Sequence, residues 1–174
     1  MEPLVQVLPK TAINEKLIPA LVNLSGDKTW RIRLAVVQFM PTLVKHIERQ
    51  LFADKIEANL VAMMTDPVFT IRDESTQTLL TLSESFGDKD WLLHIIEIKL
   101  DELVRHERFM LRIQSIHLIN KMQEHVGNEF INNRIVEDLL RLLNDPVPNI
   151  RFNVSKTLSL IADKLTPQNK ERVI

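Results

Sequence analysis

Asp145-Pro146-Val147-Pro148-Asn149-Ile150-Arg151 decides the fold, because the chain carries three more stretches built on the same pattern. They are Asp27-Lys28-Thr29-Trp30-Arg31-Ile32-Arg33, Asp66-Pro67-Val68-Phe69-Thr70-Ile71-Arg72 and His106-Glu107-Arg108-Phe109-Met110-Leu111-Arg112. The closing arginines, Arg33, Arg72, Arg112 and Arg151, stand 39, 40 and 39 residues apart. An apolar residue precedes each arginine, and an Asp lies six places before it in three of the four stretches. Self-similarity at such a period is the signature of stacked structural repeats.

The flanking columns test this. Sixteen places before the arginine stand Leu17, Ile56, Ile96 and Ile135; twelve before, Leu21, Leu60, Leu100 and Leu139; nine before, Leu24, Met63, Leu103 and Leu142. Seven places after it stand Met40, Leu79, Ile119 and Leu158, and ten after, Leu43, Leu82, Met122 and Ile161. Steps of three, four and seven trace the apolar stripe of an amphipathic helix, and no period of two persists anywhere.

Each unit therefore reads as helix, short turn, helix. First helices are expected near 14–25, 53–65, 91–104 and 132–143, and second helices near 29–47, 69–86, 109–125 and 148–164. Gly26-Asp27, Asp66-Pro67 and Asp145-Pro146 supply turn chemistry between them. Pro19 falls in the first turn of its helix, where it is tolerated, whereas Pro41 is expected mid-helix, where it should kink the rod. One helix pair cannot bury its own stripe, so neighbours must stack into a continuous core. The reading is an all-α solenoid: a single domain over 1–174, with repeats at about 13–50, 51–88, 89–127 and 128–165. Leu165, Val173 and Ile174 follow the last repeat without completing another pair, as in a segment of a longer array.

Composition narrows function. A content of 45% hydrophobic and 26% charged residues supports a sizeable core and argues against disorder. The net charge of -1 argues against a general nucleic-acid binder, which carries a basic face. No apolar run approaches the ~20 residues of a membrane span. Met1-Glu2-Pro3-Leu4-Val5 lacks the features of a secretory leader. With no cysteine there is neither disulfide nor thiolate chemistry, and a cytoplasmic or nuclear location is expected. Asn23-Leu24-Ser25 and Asn153-Val154-Ser155 match the glycosylation pattern but fall inside expected helices.

Catalytic constellations are missing. His46, His94, His106, His117 and His125 form no His-x3-His pair, so no metal is expected. Asp73-Glu74 and Asp101-Glu102 are adjacent and so point to different faces of a helix. No serine sits in a Gly-x-Ser-x-Gly turn, and three glycines leave no phosphate-cradling loop. The expectation is a protein that is not an enzyme and takes no cofactor.

The Asp…apolar-Arg pattern at this period resembles the HEAT repeat. Leu17-Ile18-Pro19, Trp30-Arg31-Ile32-Arg33-Leu34-Ala35, Phe39-Met40-Pro41, Phe86-Gly87 before Trp91, and the run Asp145 to Val154 are similar to the carboxy-terminal repeats of the scaffold (A, or PR65) subunit of protein phosphatase 2A. The resemblance covers residues 15–165. It implies a non-catalytic scaffold whose intra-repeat turns form a ridge gripping a protein serine/threonine phosphatase catalytic subunit. The matching ridge positions are Trp30, Arg31, Phe69, Phe109, Val147 and Asn149. Aromatic and arginine side chains are the types enriched at binding hot spots, which agrees with that role. In the family's longer form, amino-terminal repeats hold a regulatory B-type subunit; those repeats are absent here.

A different reading stays open for the aromatics, since a ring at the start of a second helix can also cover the layer below it. The arginines read differently again: Arg33, Arg72, Arg112 and Arg151 with Asp27, Asp66 and Asp145 form a structural ladder, interrupted where His106 replaces the acid. Two other functions compete with the phosphatase scaffold. One is another HEAT-repeat scaffold carrying cargo on its concave face; the other is a nucleic-acid-binding HEAT protein, disfavoured by the near-neutral charge.

Overall fold

The computed structural model describes residues 2–173, with side chains from Val5 onward; Met1 and Ile174 lie outside the described residues, as do the side chains of Glu2, Pro3 and Leu4. Every regular element among them is helical. The chain divides into two compact units, 1–88 and 89–174, and the division falls at the junction expected between the second and third repeats.

The first unit contains α1 (Glu2–Val7), α2 (residues 10–24), α3 (Trp30–Leu43), α4 (Arg49–Lys55), α5 (Glu57–Met63) and α6 (Phe69–Phe86). Its second helices, α3 and α6, pack side by side. The core columns are filled as their spacing requires: Leu43, Leu60, Leu79 and Leu82 are all fully buried. Each such side chain contributes about 1.5–3 kcal/mol when removed from water. Leu24 breaks its column: it is the last residue of α2, beside the Ser25-Gly26 turn, and it is exposed.

The second unit contains α7 (Lys89–Val104), α8 (Phe109–Met122), α9 (residues 128–142), α10 (Pro148–Ile161) and α11 (Pro167–Val173). Ile96, Leu100, Leu103, Ile135, Leu139, Met122 and Ile161 are sealed from solvent between these helices. The short α11 is held by α9: Asn169 donates from Nδ2 to the Asn132 carbonyl (3.0 Å) and side-chain oxygen (2.9 Å), and Arg172 pairs with Glu137 at 2.6 Å.

Helix ends depart from expectation for identifiable reasons. The second helices end at Leu43 and Met122, earlier than expected, because short bonds such as His46 N–H to Leu43 O (2.9 Å) and His125 N–H to Met122 O (2.8 Å) tighten the chain into turns. Pro41 therefore stands in the last turn of α3 rather than mid-helix, so its missing N–H falls close to the helix end. α6 ends at Gly87, whose φ of 63° is open only to a residue without Cβ strain; Asp88 N–H then closes back on Ser83 O at 3.3 Å.

Three of the four first helices are irregular at one shared place, the unbroken α7 being the exception. In α2 the turn Ile13–Leu17 is a π turn, and in α9 the turn Ile131–Ile135 is the same. Both end at the apolar position sixteen residues before the repeat arginine. In the second repeat the helix expected over 53–65 is split at that position, where Ile56 takes φ -124° between α4 and α5. α2 begins at Lys10, so Pro19 is inside a longer helix, just beyond the wide turn, rather than in its first turn. A wide turn loosens the i→i−4 ladder where proline could not have joined it.

Candidate functional site

The turn between the two helices of each repeat is built by one local device. In the residue that opens it, a side-chain acceptor takes the N–H two positions on: Asp27 from Thr29 (2.6 Å), Asp66 from Val68 (2.8 Å), His106 through Nδ1 from Arg108 (3.0 Å), and Asp145 from Val147 (2.9 Å). The repeat arginine then folds back, donating from Nη1 to the carbonyl six positions earlier. The distances are 2.7 Å for Arg33 to Asp27, 2.7 Å for Arg72 to Asp66, 2.8 Å for Arg112 to His106 and 2.7 Å for Arg151 to Asp145. His106 thus preserves the turn although it carries no carboxylate.

The same guanidinium also reaches forward. Arg33 donates from Nε and Nη2 to Asp66 (2.7 and 2.9 Å), and Arg112 does so to Asp145 (2.6 and 3.0 Å). These bidentate bonds hold Arg33 and Arg112 above the ordinary arginine value, and the Arg112 bond holds Asp145 below the ordinary aspartate range. Burial pushes Arg72 down against the pull of Asp66. Each pair ties a turn to the turn of the next repeat in its unit.

The pairs position the predicted docking residues. In the first unit Trp30 opens α3 and Phe69 opens α6, with the Arg33–Asp66 pair joining the two turns. Phe69 is 51% exposed, and its ring lies 5.5 Å from the Arg72 guanidinium. Trp30 is half-buried, with the Arg31 guanidinium stacked 4.6 Å from its ring. In the second unit Phe109 opens α8 and is 45% exposed, while Val147 caps α10 and the exposed Asn149 is its second residue. The Asn149 carbonyl accepts from Asn153 Nδ2 at 2.7 Å. Phe69 and Phe109 thus stand outside the buried core instead of closing it.

Sequence reasoning passed over Phe152, Met110 and Leu160, which are 59%, 49% and 53% exposed on α8 and α10. The available signal was their phase: they lie off the buried stripe, at positions where the first two repeats carry Arg31 and Thr70, Leu34 and Asp73, and Thr42 and Thr81. Asn23 and Asn153 are both within helices, as their sequence context implied. Among the described residues no group of three or more His, Asp or Glu side chains could hold a metal ion, and no helix is long and apolar enough to cross a membrane.

Comparison with known proteins bears on the repeat first. The HEAT repeat family matches residues 17–47 and 135–165, the two repeats that carry the π turns. Over 56 residues the chain is 36% identical to the A-type regulatory subunit of protein phosphatase PP2A from Schizosaccharomyces pombe, a stretch covering 32% of this chain and 10% of that protein. The crystal structure of Cex1p matches 99% of this chain and 32% of its own length, with a TM-score of 0.72 and 16% identity, a likeness of fold alone. The chain thus spans about a tenth of the curated relative and about a third of Cex1p. It is an all-α solenoid that carries HEAT repeats.

Proposed function

We propose that this chain is a non-catalytic scaffold that binds the catalytic subunit of a 2A-type serine/threonine protein phosphatase through its intra-repeat turns. The observation that carries the reading is the recurrence of an exposed or half-exposed aromatic ring, Trp30, Phe69 and Phe109, at the first residue of successive second helices. The fold has no need of rings there, since the fourth repeat has Pro148 at the equivalent place. Rigid aromatic surface recurring at one place in the repeat, with arginine beside it, is the material of interface hot spots. The partial similarity to a phosphatase regulatory subunit supports the choice of partner.

The test is a pull-down of a protein phosphatase 2A catalytic subunit by the full chain, beside a Trp30→Ala, Arg31→Glu variant checked for helicity. Binding by the native chain and loss in the folded variant support the reading. Failure of the native chain to bind, in the presence of correctly folded catalytic subunit, overturns it.

A further inference from the structure

The second helices of the second unit carry a surface that extends beyond the turn residues Phe109 and Asn149. α8 and α10 pack against each other, and Thr157 donates to the Asn120 side-chain oxygen between them at 2.8 Å. Their outward positions lie two before and one, five and nine after the repeat arginine, the spacing of a single helical face. On α8 these are Met110, Ile113, His117 and Lys121; on α10 they are Asn149, Phe152, Lys156 and Leu160. Together with Phe109, this face holds four of the eight large hydrophobic side chains exposed among the described residues.

The charge is one-sided. Lys156 Nζ lies 4.4 Å from the Phe152 ring, an arrangement that presents a cation and an aromatic face side by side, and Lys156 has no carboxylate partner among the described residues. No acid occupies any of the eight positions. The carboxylates flanking the face, Glu107, Glu124 and Asp163, lie at its ends, and Glu124 is engaged by Lys164 at 3.0 Å.

The first unit supplies an internal control. Its equivalent positions are Arg31, Leu34, Gln38 and Thr42 on α3 and Thr70, Asp73, Gln77 and Thr81 on α6, with the two glutamines exposed. Seven of these eight sites are polar, Leu34 being the exception, and the counterparts of Met110 and Leu160 are polar in both repeats, so packing does not demand Met110, Phe152 and Leu160 at the surface. Exposed apolar surface that the fold does not require points to a partner.

We propose that this face of α8 and α10 binds an acidic amphipathic segment of a protein partner. Its apolar side chains pack on the exposed Phe152, Met110 and Leu160, and its carboxylates meet Lys156. The face spans twelve residues of helix, about 17 Å from first to last, which matches roughly three turns of a bound helix. A phosphate backbone is a poorer fit, because the lysines of the face are separated by apolar side chains instead of forming a continuous basic track. The inference does not need the phosphatase reading, since Met110, Phe152, Lys156 and Leu160, on which it rests, are not among the turn residues of that reading.

The experiment pans the 174-residue chain against a display library of random 16-residue peptides, then measures an enriched peptide by fluorescence anisotropy. The expected peptides are rich in Asp and Glu, with leucine or aromatic residues at helical spacing. Their binding should weaken at least about tenfold in Phe152→Ala/Leu160→Ala and in Lys156→Glu, each checked for native helicity. Gln38→Ala/Gln77→Ala and Trp30→Ala/Arg31→Glu should bind as the native chain does. The proposal is overturned if no acidic sequences are enriched, or if the enriched peptides bind the α10 variants undiminished. It is also overturned if vesicles of phosphatidylserine and phosphatidylcholine, or a single-stranded oligonucleotide, bind this face and the peptides do not.

Discussion

Arg112 holds both carboxylate oxygens of Asp145, a residue 33 positions further along the chain, while its Nη1 stays bonded to the His106 carbonyl in its own turn. Arg33 does the same between Asp66 and the Asp27 carbonyl. A single guanidinium therefore closes one turn and fastens it to the next. Arginine suits this task because its planar fork donates in fixed directions and stays charged.

Asp145→Ala should destabilise the second unit by about 3 kcal/mol, since it leaves a largely buried guanidinium without its partner. Asp27→Ala removes the same turn-opening acceptor without unpairing an arginine of a preceding repeat, so it should cost about 1 kcal/mol. Urea unfolding of the two variants measures the difference. Equal losses would mean that the forward pair contributes nothing beyond the local turn.

Acid should loosen the same link. The folded pKa of Asp145 is depressed, first by its bond from Arg112, so its contribution is present above the unfolded aspartate value and fades as pH falls below about 4. Asp138 runs the other way. Burial raises its folded pKa, so the folded state takes up a proton before the unfolded chain does and gains stability as pH falls through that interval. Asp145→Asn should therefore shrink the loss of stability between about pH 6 and pH 3, and Asp138→Asn should enlarge it. Unfolding free energies across that range decide whether the two changes move in opposite directions.

Leu100→Ala should cost about 2–5 kcal/mol, because the side chain is fully buried in the core of the second unit. Phe69→Ala and Phe109→Ala, each about half exposed, should change stability by less than about 0.5 kcal/mol. Thermal unfolding of the three variants separates core from surface. A large loss in either phenylalanine variant would return that ring to a packing role.

The two tryptophans divide the signals. Trp91 is 8% exposed and should report mainly on unfolding, whereas Trp30 is half-buried under Arg31 and should respond when a partner covers the turn. In a Trp91→Phe background, Trp30 emission is expected to shift as the phosphatase catalytic subunit is added. Unchanged emission in a complex demonstrated by other means would exclude Trp30 from the interface.

Much of the fold was legible in the chain itself. The columns at Leu60, Leu100 and Leu139 and at Leu43, Leu82, Met122 and Ile161 repeat because the same layer must be filled each time, and all seven are buried. The partner of each arginine was not legible in the same way. Asp66 is as near to Arg72 in sequence as Asp27 is to Arg33, and only stacking shows that the carboxylate of Asp66 serves the preceding repeat. Nor did the pattern separate the two readings of Phe69 and Phe109, since the first residue of a helix can lean inward or out. Phe152 and Leu160 were missed because a periodic search rewards positions that stay apolar in every repeat, and theirs do not.

The wide turns at Ile13–Leu17 and Ile131–Ile135 have a consequence for how the sequence can change in length. Each residue advances a helix by about 100°, so a deletion in an ordinary turn swings every side chain upstream of it out of phase. A π turn already stores one extra residue. Removing that residue would return the turn to regular winding while the lead-in, residues 10–12 or 128–130, keeps its phase with the columns from Leu17 or Ile135 onward. In the first and fourth repeats, the start of the first helix is thus where the repeat can drop a residue while its period of contact with the neighbouring layer stays unchanged.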